Sequence, residues 1–273
     1  MKNIIVPIDF SNQSEYAIQV AASIAKKNKS TLFVLHMLEL NQAILSSSQG
    51  AHPEQTVFFI KLAEKRLKEF LDKPYLKGIK VVSVIKHFKV FSEISEVAEE
   101  HDADLIVMGS HGTEGVKELF VGSNTEKVVR NSNIPVLVIK TRFKDFNPQQ
   151  MVFACDLKEE HIHAFQRAKF IADALSMELK LIYVNTPGAG FLNTAEIQEK
   201  IEAFCSTVGF DPLIAIYNDY SVENGILNFA EEMDADVIGI STHGRKGLSH
   251  FFMGSIGEDI ANHSILPVIT FKI

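Results

Sequence analysis

Short apolar runs alternate along this chain with longer stretches of amphipathic spacing. Residues 4–8 are apolar without alternation, which predicts a strand buried on both faces. Residues 11–27 set Ala17, Val20, Ala21, Ile24 and Ala25 on one side and predict a helix with Ser11 as its cap. A strand at 31–37, a helix at 54–71, a strand at 79–85 and a helix at 93–101 behind a Ser92 cap follow. Strands at 105–108 and 136–139, with a helix at 124–130 between them, close the series. Continuous apolar strands separated by helices predict a parallel sheet covered on both faces, with right-handed crossovers.

The pattern then starts again. Residues 151–155 read as a strand ending in Asp156, as the first strand ends in Asp9. A helix at 162–175, a strand at 178–184, a shorter helix at 194–204 and a strand at 213–217 come next. A helix at 222–233, a strand at 237–240, a helix at 256–263 and a strand at 268–271 complete it. A shift of 132 residues lays Asp102-Ala-Asp104 on Asp234-Ala-Asp236, His111-Gly112 on His243-Gly244 and Gly122-Ser123 on Gly254-Ser255; over 101–140 it gives 15 identities in 40 positions. Asp9 and Asp156 are related by 147, so the second copy is 15 residues shorter in between, after its second strand. So long a period means duplication of whole domains, at 1–143 and 148–273, and not a solenoid. The linker, 141–148, is polar and ends in proline.

Composition narrows the functional classes. Hydrophobic residues are 46% and charged residues 22%, as in a globular protein. A net charge of −7 without a basic cluster argues against nucleic acid or an anionic membrane as partner. Cys155 and Cys205 form neither a disulfide framework nor a zinc spacing and read as reduced thiols in or near the core. Met-Lys-Asn is followed by only five apolar-type residues before Asp9, too few for a signal-peptide core, and no apolar run is long enough for a bilayer, so a cytoplasmic protein is expected.

The chemical signal is Gly109-Ser-His-Gly112, nine residues, then Gly122-Ser123, following a buried strand and opening a helix. That is the carboxyl edge of the sheet, where open α/β folds bind ligands. Glycines let backbone approach a phosphate, and N–H groups at a helix start favour an anion. Two structural readings stay open. Ser123-Asn-Thr-Glu126 and Ser255-Ile-Gly-Glu258 both have the form of a capping box, and the glycines also suit a plain turn. There is no dinucleotide fingerprint, no P-loop and no nucleophile elbow. His111 and His243 have no nucleophile beside them in sequence; His161 and His163 are not at the helical spacing of a metal pair.

Ile5-Val-Pro-Ile-Asp9-Phe-Ser11 resembles the opening of universal stress proteins. Asp104-Leu-Ile-Val-Met-Gly109-Ser-His-Gly112, Gly122-Ser123 and Pro135-Val-Leu-Val138 resemble the closing half of that family's domain. The resemblance covers nearly the whole chain as two such domains. It implies two tandem, doubly wound, five-stranded parallel sheets of strand order 3-2-1-4-5, the adenine nucleotide alpha-hydrolase-like fold. It further implies an ATP site, with magnesium or manganese bridging the phosphates, in a stress-response or regulatory protein. Carried over residue by residue, adenine and ribose meet Pro7, Ile8, Asp9 and Met37. Met108 and Gly109 border the sugar and phosphates, and Gly112, Gly122, Ser123, Asn124 and Thr125 donate to phosphate. The last strands are family pairing edges, which implies an intramolecular pseudo-dimer and leaves a homodimer open. The second copy departs from the pattern: Ser241 replaces the first glycine, Ala154-Cys155 replace Pro7-Ile8, and Ile256-Gly257 replace Asn124-Thr125. Its nucleotide binding is expected to be weak or absent. A slow ATPase or adenylyl-transfer enzyme, and a ligand-free scaffold, are the competing readings.

Overall fold

The computed structural model describes residues 1–38, 53–87, 92–110, 122–188, 190–209, 212–242, 260 and 264–273. The first half runs β1 (Asn3–Ile8), α1 (Asn12–Asn28), β2 (Thr31–Leu38), α2 (Pro53–Leu71), β3 (Val81–His87), α3 (Ser92–Glu100), β4 (Leu105–Gly109), α4 (Ser123–Asn131) and β5 (Val136–Ile139). The second half runs β6 (Gln150–Ala154), α5 (Ile162–Leu175), β7 (Glu178–Asn185), α6 (Thr194–Val208), β8 (Ile214–Asn218), α7 (Val222–Glu232), β9 (Val237–Thr242) and β10 (Val268–Lys272). Boundaries differ from the sequence expectation by a residue or two at most ends, and by four at the end of α6. The predicted helix at 256–263 lies outside the described residues except for Ile260.

Within each half the strand order is 3-2-1-4-5, but the two sheets are not separate. They join into one ten-stranded sheet, β3-β2-β1-β4-β5-β10-β9-β6-β7-β8. The junction is the antiparallel pair β5–β10, with Val136 opposite Thr270, Leu137 opposite Ile269 and Val138 opposite Val268. Every other strand pair is parallel. The carboxyl ends of the two halves therefore point to opposite edges of the common sheet.

One apolar core lies under α1, α2, α5 and α6 and runs through both halves, from Ile4 and Ile18 to Phe165 and Phe271. Two smaller cores cover the other face, one around Ile5, Val97 and Val128, the other around Ile182, Ile226 and Ile238. The linker belongs to the shared core: Phe146 is buried in it and packs edge-on against Phe143, 5.4 Å away. A polar tether was the expectation, and these two phenylalanines make it a packed strap. At the far end of the same face, the Lys27 ammonium donates to the Leu175 carbonyl at 2.5 Å, tying α1 to α5.

The duplication extends to individual contacts. Non-glycine residues of positive φ occur in pairs: Phe10 and Leu157, Lys29 and Ser176, Asp102 and Asp234. The first two pairs differ by 147 positions and the third by 132, the two registers of the sequence. Asp104 Oδ2 accepts the N–H groups of Lys2 and Asn3, as Asp236 Oδ2 accepts those of Gln149 and Gln150. Ser132 and Ser264 each bracket a turn by bonding the residue two positions on.

Candidate functional site

The crevice of the first half lies between β1 and β4, where the strand order reverses. This switch point is where open α/β sheets bind ligands. From β1 come Pro7, Ile8 and, just beyond it, Asp9, whose Oδ1 accepts the Ser11 N–H at 3.0 Å. Ser11 in turn caps α1, its hydroxyl accepting the Ser14 N–H at 3.1 Å. The short turn between them is held by Phe10 at φ 66°. The Phe10 ring lies 4.4 Å from His36 and beneath the Arg66 guanidinium at 4.3 Å. Burial holds the His36 imidazole below its ordinary pKa, against a hydrogen bond from Nδ1 to the Ile8 carbonyl at 3.0 Å.

From β4 come Met108 and Gly109. Met108 is buried in the core around Ile5 and Val97, while Met37 packs against the edge of that core. The chain is drawn shut across the glycine loop. Gly122 N–H donates to the Ser110 carbonyl at 2.6 Å, and the Thr125 hydroxyl donates to the Gly109 carbonyl at 2.8 Å. The start of α4 is thereby brought to the end of β4. Gly122 is its N-cap and offers no side chain to the first-turn N–H groups, while Asn124 is exposed. Ser123 is the first helical residue and not the N-cap that a capping box would make it, and the Glu126 carboxylate pairs with Arg130 at 2.5 Å. Thr125 is buried, and its hydroxyl proton is engaged by Gly109. Gly112, His111, His243, Gly244, Gly254, Ser255 and Gly257 lie outside the described residues, as does the side chain of Ser123.

Gly109 has a second reason to be glycine. A Cβ there would sit 2.8 Å from both the carbonyl carbon and the Cβ of Gln13, because the first turn of α1 presses on β4. In the second half Ser241 occupies this position, fully buried, and its Oγ lies 2.7 Å from Nδ1 of His161. His161 stands 147 residues after Ser14 and is itself fully buried. A 3-10 turn, Glu159–His161, precedes α5 there, where α1 simply begins after Ser11. The imidazole reaches on to Asp156, Nε2 lying 2.9 Å from Oδ1.

Asp156 also accepts the Lys158 N–H at 3.2 Å and pairs with the Lys158 ammonium at 2.6 Å. Burial opposes its charge, but the His161 and Lys158 contacts outweigh that and hold the carboxyl well below the usual carboxylate range. Burial pushes the neighbouring Cys155 thiol up to about 12. Among the described residues, Cys155, Asp156 and His161 form the one group with metal-ligating atoms within 4.8 Å of one another. The ammonium already on the carboxylate and the strongly protonated thiol both weigh against a cation there. The sequence gives no sign of this cluster, because Asp156, His161 and Ser241 share neither a motif nor a period.

Beside it, at the carboxyl ends of β6 and β7, opens a cavity of about 210 Å³. Ala154, Cys155, Asp156 and Val184 line it, at positions 147 after Pro7, Ile8, Asp9 and Met37. The half expected to bind nucleotide weakly or not at all thus has a formed cavity at the place corresponding to the expected adenosine site.

The family model described as the universal stress protein family matches this chain twice, over residues 1–140 and 148–272. A universal stress protein of Methanocaldococcus jannaschii is 30% identical over 155 residues, 52% of this chain and 96% of that protein. The crystal structure of a universal stress protein from Archaeoglobus fulgidus superposes with a TM-score of 0.73 at 25% identity, covering 99% of this chain and 98% of that one. A structure from Pseudomonas aeruginosa shares the fold, with a TM-score of 0.66 at 20% identity over the whole of this chain and 93% of its own. Among the described residues no helix is long and apolar enough to cross a membrane.

Proposed function

This chain belongs to the universal stress protein family, and on that premise we propose that its first domain, 1–143, binds ATP. Nucleotide-dependent conformation or partner binding would then make it a cytoplasmic stress-response or regulatory protein. The observation that carries the reading is the start of α4. It is drawn to the switch point by the Gly122–Ser110 and Thr125–Gly109 bonds, and its cap is a glycine, which brings no side-chain acceptor to compete with an anion for the first-turn N–H groups.

In this reading Gly112, Gly122, Ser123, Asn124 and the backbone of Thr125 receive the phosphates, with magnesium or manganese between them. Pro7, Ile8, Asp9 and Met37 receive adenine and ribose, Asp9 accepting from ribose hydroxyl or adenine amino donors. Gly109 and Met108 act from beneath, by shaping β4 and its clearance from α1. The second domain, 148–273, serves as the other half of an intramolecular pseudo-dimer. A hydroxyl and an imidazole fill the space that Gly109 and Ser14 leave in the first.

Thermal unfolding with millimolar ATP and magnesium tests the proposal. A ligand at about 100 times its dissociation constant stabilises the native state by roughly 2.7 kcal/mol. Asp9→Ala and Ser123→Ala should each reduce the shift, and adenine nucleotide identified by mass should be released when the purified protein is denatured. An unchanged melting temperature in ATP would remove the proposal. Gly109→Val, the obvious variant, would confound it by colliding with Gln13.

A further inference from the structure

From the second-half cavity we infer a separate ligand site for a small organic anion with an apolar body, held by the ammonium of Lys200. The inference rests on residues of the second domain alone and does not depend on the ATP reading.

The walls are apolar: Ala154, Ile182, Val184, Leu192 and Val222 contribute, with the Tyr183 ring beside them. Its lining includes two cationic residues, Lys158 and Lys200, and one acidic residue, Asp156. That carboxylate is already committed. Oδ2 pairs with Lys158, and Oδ1 meets both the Lys158 N–H and His161. Lys200 is part-buried, and its ammonium stands over the Tyr183 ring at 5.0 Å. Among the described residues no carboxylate comes within ion-pair distance of it. Burial pulls Lys200 below the ordinary lysine range, although the charge of Asp156 works in the opposite direction. An anionic group next to Lys200 would supply the missing counter-charge.

Charge placement separates this ligand from a nucleotide. The cavity occupies the position that corresponds to the expected adenosine site of the first domain, and there a nucleotide presents an uncharged base. Here the cation calls for negative charge at that end. In the first domain, Pro7, Ile8, Ser11 and His36 stand where Ala154, Cys155, Lys158 and Tyr183 stand in the second, so three of those four exchanges alter the polar chemistry. Size agrees, since about 210 Å³ is below the roughly 300–1,000 Å³ of sites that enclose drug-sized ligands. A medium-chain or aromatic monocarboxylate fits both requirements.

Isothermal titration of the full chain with octanoate, and with 1-octanol as its uncharged counterpart, tests this. Octanoate should bind once per chain and at least ten-fold more tightly than octanol. Lys200→Met should weaken octanoate at least ten-fold and leave octanol unchanged, with the urea midpoint of the variant confirming that it folds. Saturating ATP should not displace octanoate, since the two carboxyl edges lie on opposite sides of the sheet. Absence of octanoate binding would overturn the inference. So would equal affinity for the alcohol, indifference to Lys200→Met, or displacement by ATP. Loss of ATP binding with octanoate binding intact would sink the first proposal and spare this one.

Discussion

At the scale of the residue, one exchange organises the difference between the halves. Gly109 is small because a Cβ there would stand 2.8 Å from Gln13, closer than two carbon atoms can approach without a bond. Ser241 is tolerated because its side chain turns to His161, on a chain diverted by one 3-10 turn. The two solutions are not interchangeable. Gly109→Ser should destabilise by about 1–3 kcal/mol, since the atoms it meets include backbone, which cannot rotate away. Ser241→Gly should cost about 1–3 kcal/mol as well, by removing the hydroxyl from a fully buried imidazole. Urea denaturation of both variants measures this, and a Gly109→Ser midpoint equal to that of the parent protein would refute the clearance argument.

At the scale of the element, the helix ends carry the clearest copies. α1 and α5 both terminate on a left-handed non-glycine residue, Lys29 and Ser176, each at φ 56°. Their N–H groups return to the carbonyls of Ala25 and Ala172. Glycine adopts that conformation without the Cβ penalty, so Lys29→Gly and Ser176→Gly should each stabilise by about 0.5–1 kcal/mol. Melting curves should rise by about 1–4 °C per substitution, and Lys29→Ala should give no rise. Elements such as these were legible in the sequence, because helical spacing, a Ser11 cap and unbroken apolar strands are local signals. The register of the repeat was legible too, from aligned Asp, Gly and Pro residues. The clearance around Gly109 was not, because its cause, Gln13, lies 96 positions earlier. The Asp156–His161–Ser241 chain closes over 80 residues between His161 and Ser241 and has no period to betray it. Phe146 was hidden among polar neighbours in the linker, and only packing reveals that it belongs to the core.

At the scale of the whole molecule, the joining of the two halves rests on β5–β10 and on one buried cation beside it. Lys140, directly after β5, is 8% exposed and donates to the Ser264 carbonyl at 2.6 Å, just before β10. Burial lowers its pKa from 10.5 to about 8. The folded chain therefore releases this proton near pH 8, while the unfolded chain keeps it to about 10.5. Between those values the unfolded state binds more protons, so stability from this group rises with pH. Below about 8 the full cost of burying the ammonium is present, and above about 10.5 it is gone. At 1.36 kcal/mol per pKa unit the whole rise is of order 3 kcal/mol. Lys140→Met removes the titrating group and leaves the other lysines as they are, so the difference between parent and variant isolates it. Urea midpoints at pH 7.5, 8.5 and 9.5 should move steadily in favour of the parent protein. Parallel curves would mean that the ammonium at the junction is solvated well enough to keep its ordinary affinity for the proton, and the joint between the halves would then be looser than its 2.6 Å bond implies.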